Sequence, residues 1–383
     1  MLSQYSPRPR MTRLDSKNKP SITSTGTCST FTSMNSPSPT TSPAGPSHPH
    51  GQHQYPSTCL SPLREEALHL EDLELMMHWC TTTYKSMARD ASSEVIWQTT
   101  IPRLSLRYPA LRQGLLALSA LHLASTTPSP QRWRYLDIAR SYQAQALADL
   151  HADSNDVPEA QSQATFALCC IMIVFTFGFY RIDTENDSDG EGKQPDTLDE
   201  FFEVFQRTRW LVSIMMHSID RITEGELNPL IKPEDLSPTM PDMSRLVIFS
   251  LQRQNSMEAR RDAAHETVTY ESTIGHLGDA LKQLMAGEEP RLFAFGWSLR
   301  VPAEFVELLE ARRPFALVVL AHYAVILHRL RDSWWMGDWG TRILEEIGDL
   351  LGPEWQELIS WPIDATGCFL PRTEVRVIPS VGV

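Results

Sequence analysis

The feature that most constrains this chain is a succession of helix openings marked by proline. Pro62, Pro109, Pro130, Pro302, Pro314 and Pro353 each stand where an apolar, helix-periodic segment begins. A first-turn proline costs a helix nothing, because the first amides have no intrahelical acceptor. Ser61 and Ser129 precede two of these prolines as N-caps, and Glu65 and Glu66 suit the positive end of the first helix. Asp156 with Glu159, and Thr197 with Glu200, have the spacing of capping boxes. In the first helix the apolar stripe Leu70, Leu73, Met77 and Cys80 predicts the buried face. Further helices are expected over 94–106, from Pro109 through a segment apolar almost all round, from Pro130 to about Leu150, and from there to about Tyr180. FFEVFQRTRWLVSIMM, 243–252 and 257–286 follow, the last stopped by Gly287. Short C-terminal helices close the series before Gly352 and Pro362. Only RTEVRVIPSV alternates like a strand, and no repeat of solenoid length is visible. The fold class is therefore all-α, a multi-helix globular domain.

The expected organisation is a tail over 1–62, a helical body over 63–362 and a C-terminal tail over 363–383. In the first 62 residues, 32 are Ser, Thr or Pro, too few apolar groups to offset chain entropy. That tail carries five basic residues and one acid, a net charge of 5 − 1 = +4; against −13 for the whole chain, the remainder carries −13 − 4 = −17. An acidic body without a basic stripe argues against direct nucleic-acid contact. The first residues lack the apolar core of a secretory signal, and the six cysteines are too few for a disulfide scaffold, which points to a reducing compartment. Ala164 to Tyr180 is uncharged but only 17 residues long, and reads as a core helix rather than a membrane span.

No complete catalytic signature is present. His265-Glu266 lacks the second histidine of a zinc-protease helix, and Gly296-Trp297-Ser298 lacks the final glycine of a nucleophile elbow. No P-loop, dinucleotide fingerprint or aspartate-rich diphosphate motif occurs. His322 and His328 lie six apart on one helix, on different faces, and are expected to pack or cap. The cysteines have no C-x-x-C pairing. The run Glu185 to Asp196 echoes a calcium loop, but Glu at its first position, Gly192 at its eighth and a short Asp at its twelfth make a solvated acidic loop the reading. Trp334, Trp335, Trp339, Trp355 and Trp361 cluster within 28 residues, as core or as the wall of an apolar cavity. Met215 and Met216 fit either role.

The segments LEDLELMMHWCTTTY, RYPALRQGLLALSALHLA, PFALVVLAHYAVILHRL, WWMGDWGTRILEEI and EWQELISWP, in that order, resemble the regulatory region of fungal zinc-cluster transcription factors, nearest to the sterol uptake control type. The resemblance implies a non-enzymatic, nuclear regulator that shuttles with the cytoplasm and senses a sterol or another apolar small molecule, controlling lipid or secondary-metabolism genes. Candidate ligand contacts are Phe175, Phe179, Met215, Met216, Tyr323, Trp334 and Trp335. The implied partners are a second copy or related factors. No cofactor is expected in this chain: zinc, and DNA contact, would come only through a six-cysteine cluster upstream, which the sequence lacks, as a truncated product or as a cluster-less relative. Two alternatives remain at this stage, a helical enzyme on a lipid or terpenoid, and a cluster-less dimerisation module that modulates intact zinc-cluster factors.

Overall fold

The computed structural model describes residues 61–153, 161–187, 196–222, 225–231, 242–285 and 290–368, and among these every regular element is helical. The order is α1 (Ser61–Thr81), α2 (Ala91–Val95), α3 (Ile101–Ser105), α4 (Pro109–Thr126), α5 (Gln131–Asp153), α6 (Ser162–Asp187), α7 (Thr197–Ile222), α8 (Asp242–Arg261), α9 (Thr267–Met285), α10 (Pro290–Arg300), α11 (Ala303–Glu310), α12 (Pro314–His328), α13 (Trp339–Leu350), α14 (Pro353–Gln356) and α15 (Ser360–Thr366). The all-α expectation holds. The Asp156/Glu159 box, most of the calcium-like run and the RTEVRVIPSV segment lie outside the described residues.

Three helices carry the core. In α4, Leu111, the run Gly114 to Leu121, and Ala124 are all buried. α6 packs on α4 and α7. It is the one described helix long and apolar enough to cross a membrane, over Ser162–Ile182, and 78% of its apolar window is buried inside the body. In α12 every residue from Phe315 to Leu327 is buried, as its all-round apolarity demands. α12 packs on α9, α13 and α15, and one continuous apolar cluster joins it to α4 and α6.

Several helix details depart from the sequence reading. The buried face of α1 is Leu75 and Trp79, both fully enclosed, while Leu70, Leu73 and Met77 are 68%, 60% and 68% exposed. Two apolar stripes run along this helix, and the one holding the indole wins because it buries more surface. The expected 94–106 helix contains Pro102, which has no amide to donate. The chain answers with a π-turn over Ile96–Thr100, in which the Ile101 amide bonds the Ile96 carbonyl. The cap of α7 is Asp196, one residue before Thr197: its carboxylate accepts from the Leu198 amide at 3.0 Å. Glu200 pairs with Arg342 at 3.1 Å. The break between α8 and α9 falls at 262–266, later than expected, and α10 lies where the sequence had suggested no helix. Pro362 does not end the last helix; α15 begins at Ser360 and holds the proline in its first turn.

Candidate functional site

The π-turn also shapes a cavity. Because the Ile101 amide goes to Ile96, the Trp97 carbonyl is released from the helix ladder, and Trp79 Nε1 donates to it at 2.8 Å. That bond fixes Trp97, itself buried, as one wall of a cavity of about 220 Å³. The opposite walls come from Phe166, Cys170, Ile173 and Val174 of α6 and from Val212, Met215 and Met216 of α7. The α6 residues fall at helical spacing on one face. Phe295 and Leu299 of α10 close one end, and Leu230 and Ile231 of a short 3₁₀ turn close another.

Polar groups in this lining are already engaged. The Ser93 hydroxyl accepts from the Asp90 amide at 3.0 Å, within a capping box in which Asp90 accepts from the Ser93 amide at 2.7 Å. That amide, with the Ser92 hydroxyl, holds the Asp90 carboxyl at about 2. Arg89 pairs with Asp90 at 3.3 Å and donates to the Pro229 carbonyl, tying the 3₁₀ segment to α2. Arg103 adds a second tie to the same segment through Glu226 at 2.9 Å. The Cys170 thiol lies 3.8 Å from the Met215 sulfur, and burial pushes its pKa up to about 12, so it behaves as an apolar wall group. The lining contains no carboxylate and no histidine. Its walls are predominantly apolar and bring no carboxylate or imidazole to the enclosed space.

Of the residues singled out in the sequence, Met215 and Met216 line this cavity; the other five sit elsewhere. Phe175 is fully buried and stacks on Phe179 at 5.7 Å, whose ring is covered by the Arg140 guanidinium. Tyr323 is buried against Trp297, with ring centroids 4.1 Å apart. Trp334 stacks on His122 at 4.8 Å and donates to the Ser86 hydroxyl at 2.7 Å. Trp335 is enclosed one layer behind the cavity, 6.1 Å from Phe295. Trp97, Phe166, Cys170, Ile173, Val174, Val212, Phe295 and Leu299 were not foreseen as walls. A signal existed: Cys170, Ile173 and Val174 share a face of α6, whereas Phe175 and Phe179 stand on another. His322 is buried, with Nδ1 donating to the Val318 carbonyl at 2.8 Å. Cys80, Cys169, Cys170 and Cys368 are unpaired thiols. Among the described residues no group of three or more His, Cys, Asp or Glu side chains could hold a metal, so nothing in them fits a zinc cluster.

Residues 74–191 match the family model described as fungal specific transcription factor domain. That span runs from α1 into α6 and includes two of the cavity's walls, Trp97 and the α6 face. Over 313 residues, 76% of this chain, the sequence is 25% identical to a Zn(2)-C6 fungal-type transcription factor of Gibberella zeae, of which 61% is covered. Over 108 residues, 28% of this chain, it is 32% identical to sterol uptake control protein 2 of Saccharomyces cerevisiae, of which 11% is covered. The chain thus spans less than two thirds of either relative. Residues 74–191 are thus similar to a fungal specific transcription factor domain, a stretch that includes two of the cavity's walls, and the longer similarity is to a transcription factor.

Proposed function

We propose that this chain is the regulatory part of a fungal transcription factor, and that the cavity between the π-turn, α6, α7 and α10 receives an apolar ligand whose occupancy sets the activity of the factor. The observation that supports this reading is the lining: predominantly apolar, with Arg89 and Ser93 engaged by neighbouring groups and no carboxylate or histidine, in a chain similar to a transcription factor over three quarters of its length. The similarity to sterol uptake control protein 2 favours a sterol as the guest. Size adds a condition. At about 220 Å³ the cavity exceeds the void of about 150 Å³ that holds benzene. It is below the roughly 300–1,000 Å³ of sites for drug-sized molecules. A sterol would therefore enter by opening the side formed by Met215, Met216 and the 3₁₀ segment. Met216 is already 42% exposed there, and methionine adapts readily to irregular guests.

On this reading the protein acts in the nucleus and regulates lipid-related genes without catalysis. DNA contact belongs to a zinc cluster that this sequence does not contain, whether upstream or on a partner. The full chain should gain thermal stability with ergosterol, by about 2.7 kcal/mol at a hundredfold excess over Kd. Quenching or enhancement of Trp97 fluorescence should saturate in parallel. An apolar ligand panel of sterols, fatty acids and polycyclic hydrocarbons that leaves both signals unmoved would overturn ligand sensing.

A further inference from the structure

Two helices expose apolar stripes to solvent, and they carry opposite charge. On α1, Leu70, Leu73 and Met77 are 68%, 60% and 68% exposed, beside an exposed Glu74. On α8, Met243, Leu246 and Phe249 are 58%, 62% and 64% exposed, and Arg253, one turn beyond Phe249, is exposed too. These six side chains are half of the twelve large apolar residues the described body exposes. Their spacing matters more than their number. Leu70, Leu73 and Met77 fall at i, i+3 and i+7, and Leu246, Phe249 and Arg253 repeat that pattern, the seam by which one helix packs along another.

The opposite faces are already used. α1 turns Leu75 and Trp79 inward, and α8 turns Ser244, Val247, Leu251 and Asn255 inward, largely against α9. Among the described residues the outer stripes are thus faces without a helix packed on them. Over residues 70–81 the charged residues are Glu71, Asp72 and Glu74, a net of 0 − 3 = −3, with Glu71 already paired to Arg134 of α5 at 2.9 Å and Glu74 the exposed acid of the stripe. Over Asp242–Arg261 they are Arg245, Arg253, Arg260 and Arg261 against Asp242 and Glu258, a net of 4 − 2 = +2. Like-with-like pairing of α1 would bring the exposed Glu74 against its own copy, whereas α1 against α8 brings Glu74 towards Arg253 along matched apolar seams. The residues before α1 are a poor rival occupant, since 32 of the first 62 are Ser, Thr or Pro.

We propose that two copies of this chain associate by seating the exposed Leu70–Leu73–Met77 stripe of α1 on the exposed Leu246–Phe249 stripe of α8 in the partner. This surface is separate from the cavity, and its fate is independent of ligand sensing. A two-fold dimer would form the contact twice, which a single pair of short seams needs in order to reach the area of a stable interface.

Sedimentation velocity on the full chain from 1 to 100 μM tests it. The wild type should self-associate, and more weakly as salt rises. Leu73→Glu and Phe249→Glu should each weaken association at least tenfold. Both positions are exposed, so unchanged thermal melting will show that folding is intact. Each variant keeps the half that the other lost, so an equimolar mixture should associate more tightly than either alone. Charge reversal gives an independent reading: Glu74→Arg and Arg253→Glu should each weaken association, and the double variant should recover it. A wild type that stays monomeric overturns the proposal. So does a mixture no tighter than its components, or one variant that associates like wild type while the other does not, which would mean pairing of like helices.

Discussion

α6 has two buried faces that are equally apolar and behave differently. On one, Phe177 meets Trp339 edge-on at 6.1 Å and Trp335 at 6.4 Å, and Trp339 Nε1 donates to the Phe177 carbonyl at 3.2 Å. Gly178 lets this layer close: a Cβ there would lie 3.1 Å from Trp335 Cβ and 3.2 Å from the Trp334 ring. A second close approach sets α13 on α12, where a Cβ on Gly340 would meet the Ala324 carbonyl at 2.6 Å. On the other face, Phe166, Cys170, Ile173 and Val174 look towards Val212 and Met215 and leave about 220 Å³ unfilled. On the first face the rings interlock around an anchored indole, whereas on the second aliphatic and thioether side chains of α6 and α7 meet Trp97 and Phe295 across the π-turn and leave a gap. Apolar character decides that a helix is buried; side-chain shape decides whether what it is buried against is solid.

The largest test of this contrast is truncation. Trp339→Ala should cost about 3–5 kcal/mol, since it empties a filled layer and orphans the Phe177 carbonyl contact. Met216→Ala, at the open side of the cavity, should change stability by no more than about 0.5 kcal/mol. Urea unfolding of both variants measures the two costs, and equal losses would erase the distinction between a solid face and a yielding one.

Acid should act on the solid region first. Burial lowers the His322 pKa to about 4, although its bond to the Val318 carbonyl works in the opposite sense, and His322 stacks on Trp361 at 5.7 Å. Burial, with the nearby His78, lowers His122 to about 4 as well, and His122 stacks on Trp334. A histidine whose folded pKa lies below its unfolded value binds fewer protons when folded, so its contribution is present above pH 6.5 and is lost as pH falls from 6.5 towards 4. For the fully buried His322 the loss approaches about 3 kcal/mol by pH 4. Melting temperature followed from pH 7 to 4 should fall, and His322→Gln should flatten part of that fall. An unchanged slope in that variant would show that His322 does not couple to the fold.

These same residues show how far the sequence could be read. The helices were legible because proline and capping residues mark their starts, and the burial of α4, α6 and α12 followed from their all-round apolarity. The α1 face was not, because two apolar stripes compete along it and the winner depends on what Trp79 meets across 18 residues of chain. Met215 and Met216, which the sequence left as gap-fillers or adaptable walls, line the cavity. Tyr323, Trp334 and Trp335 were placed with them because aromatics line both cores and cavities; which of the two is decided by partners such as Trp297, His122 and Phe295, distant in sequence. The π-turn that sets Trp97 had one visible cause, Pro102 inside a helical segment.

Smaller effects probe the two faces of α6 directly. Gly178→Ala, against the tryptophan layer, should cost about 1–3 kcal/mol because the backbone cannot retreat. Ile173→Phe points its added volume into the cavity and should leave stability within about 1 kcal/mol, since filling a void offsets its own strain. It should also abolish any stabilisation by an apolar ligand. If Ile173→Phe destabilises as much as Gly178→Ala, the cavity wall is as rigid as the aromatic layer.

The smallest expected effect is a null one. The ionisable side chains of the cavity lining are Arg89 and Cys170. Burial has moved the thiol to about 12. Asp90, beside Arg89, is held at about 2, chiefly by the Ser93 amide, so it does not titrate there either. Affinity for an uncharged apolar ligand, read from Trp97 fluorescence, should therefore change less than about twofold between pH 6 and 8. Stability, by contrast, begins to fall at the acid end of that range as the histidines of the solid region are drawn towards protonation. A ligand affinity that weakened along with it would mean that the guest reaches the His122–Trp334 stack. In that case the aromatic layer, and not only the yielding face of α6, would belong to the binding site.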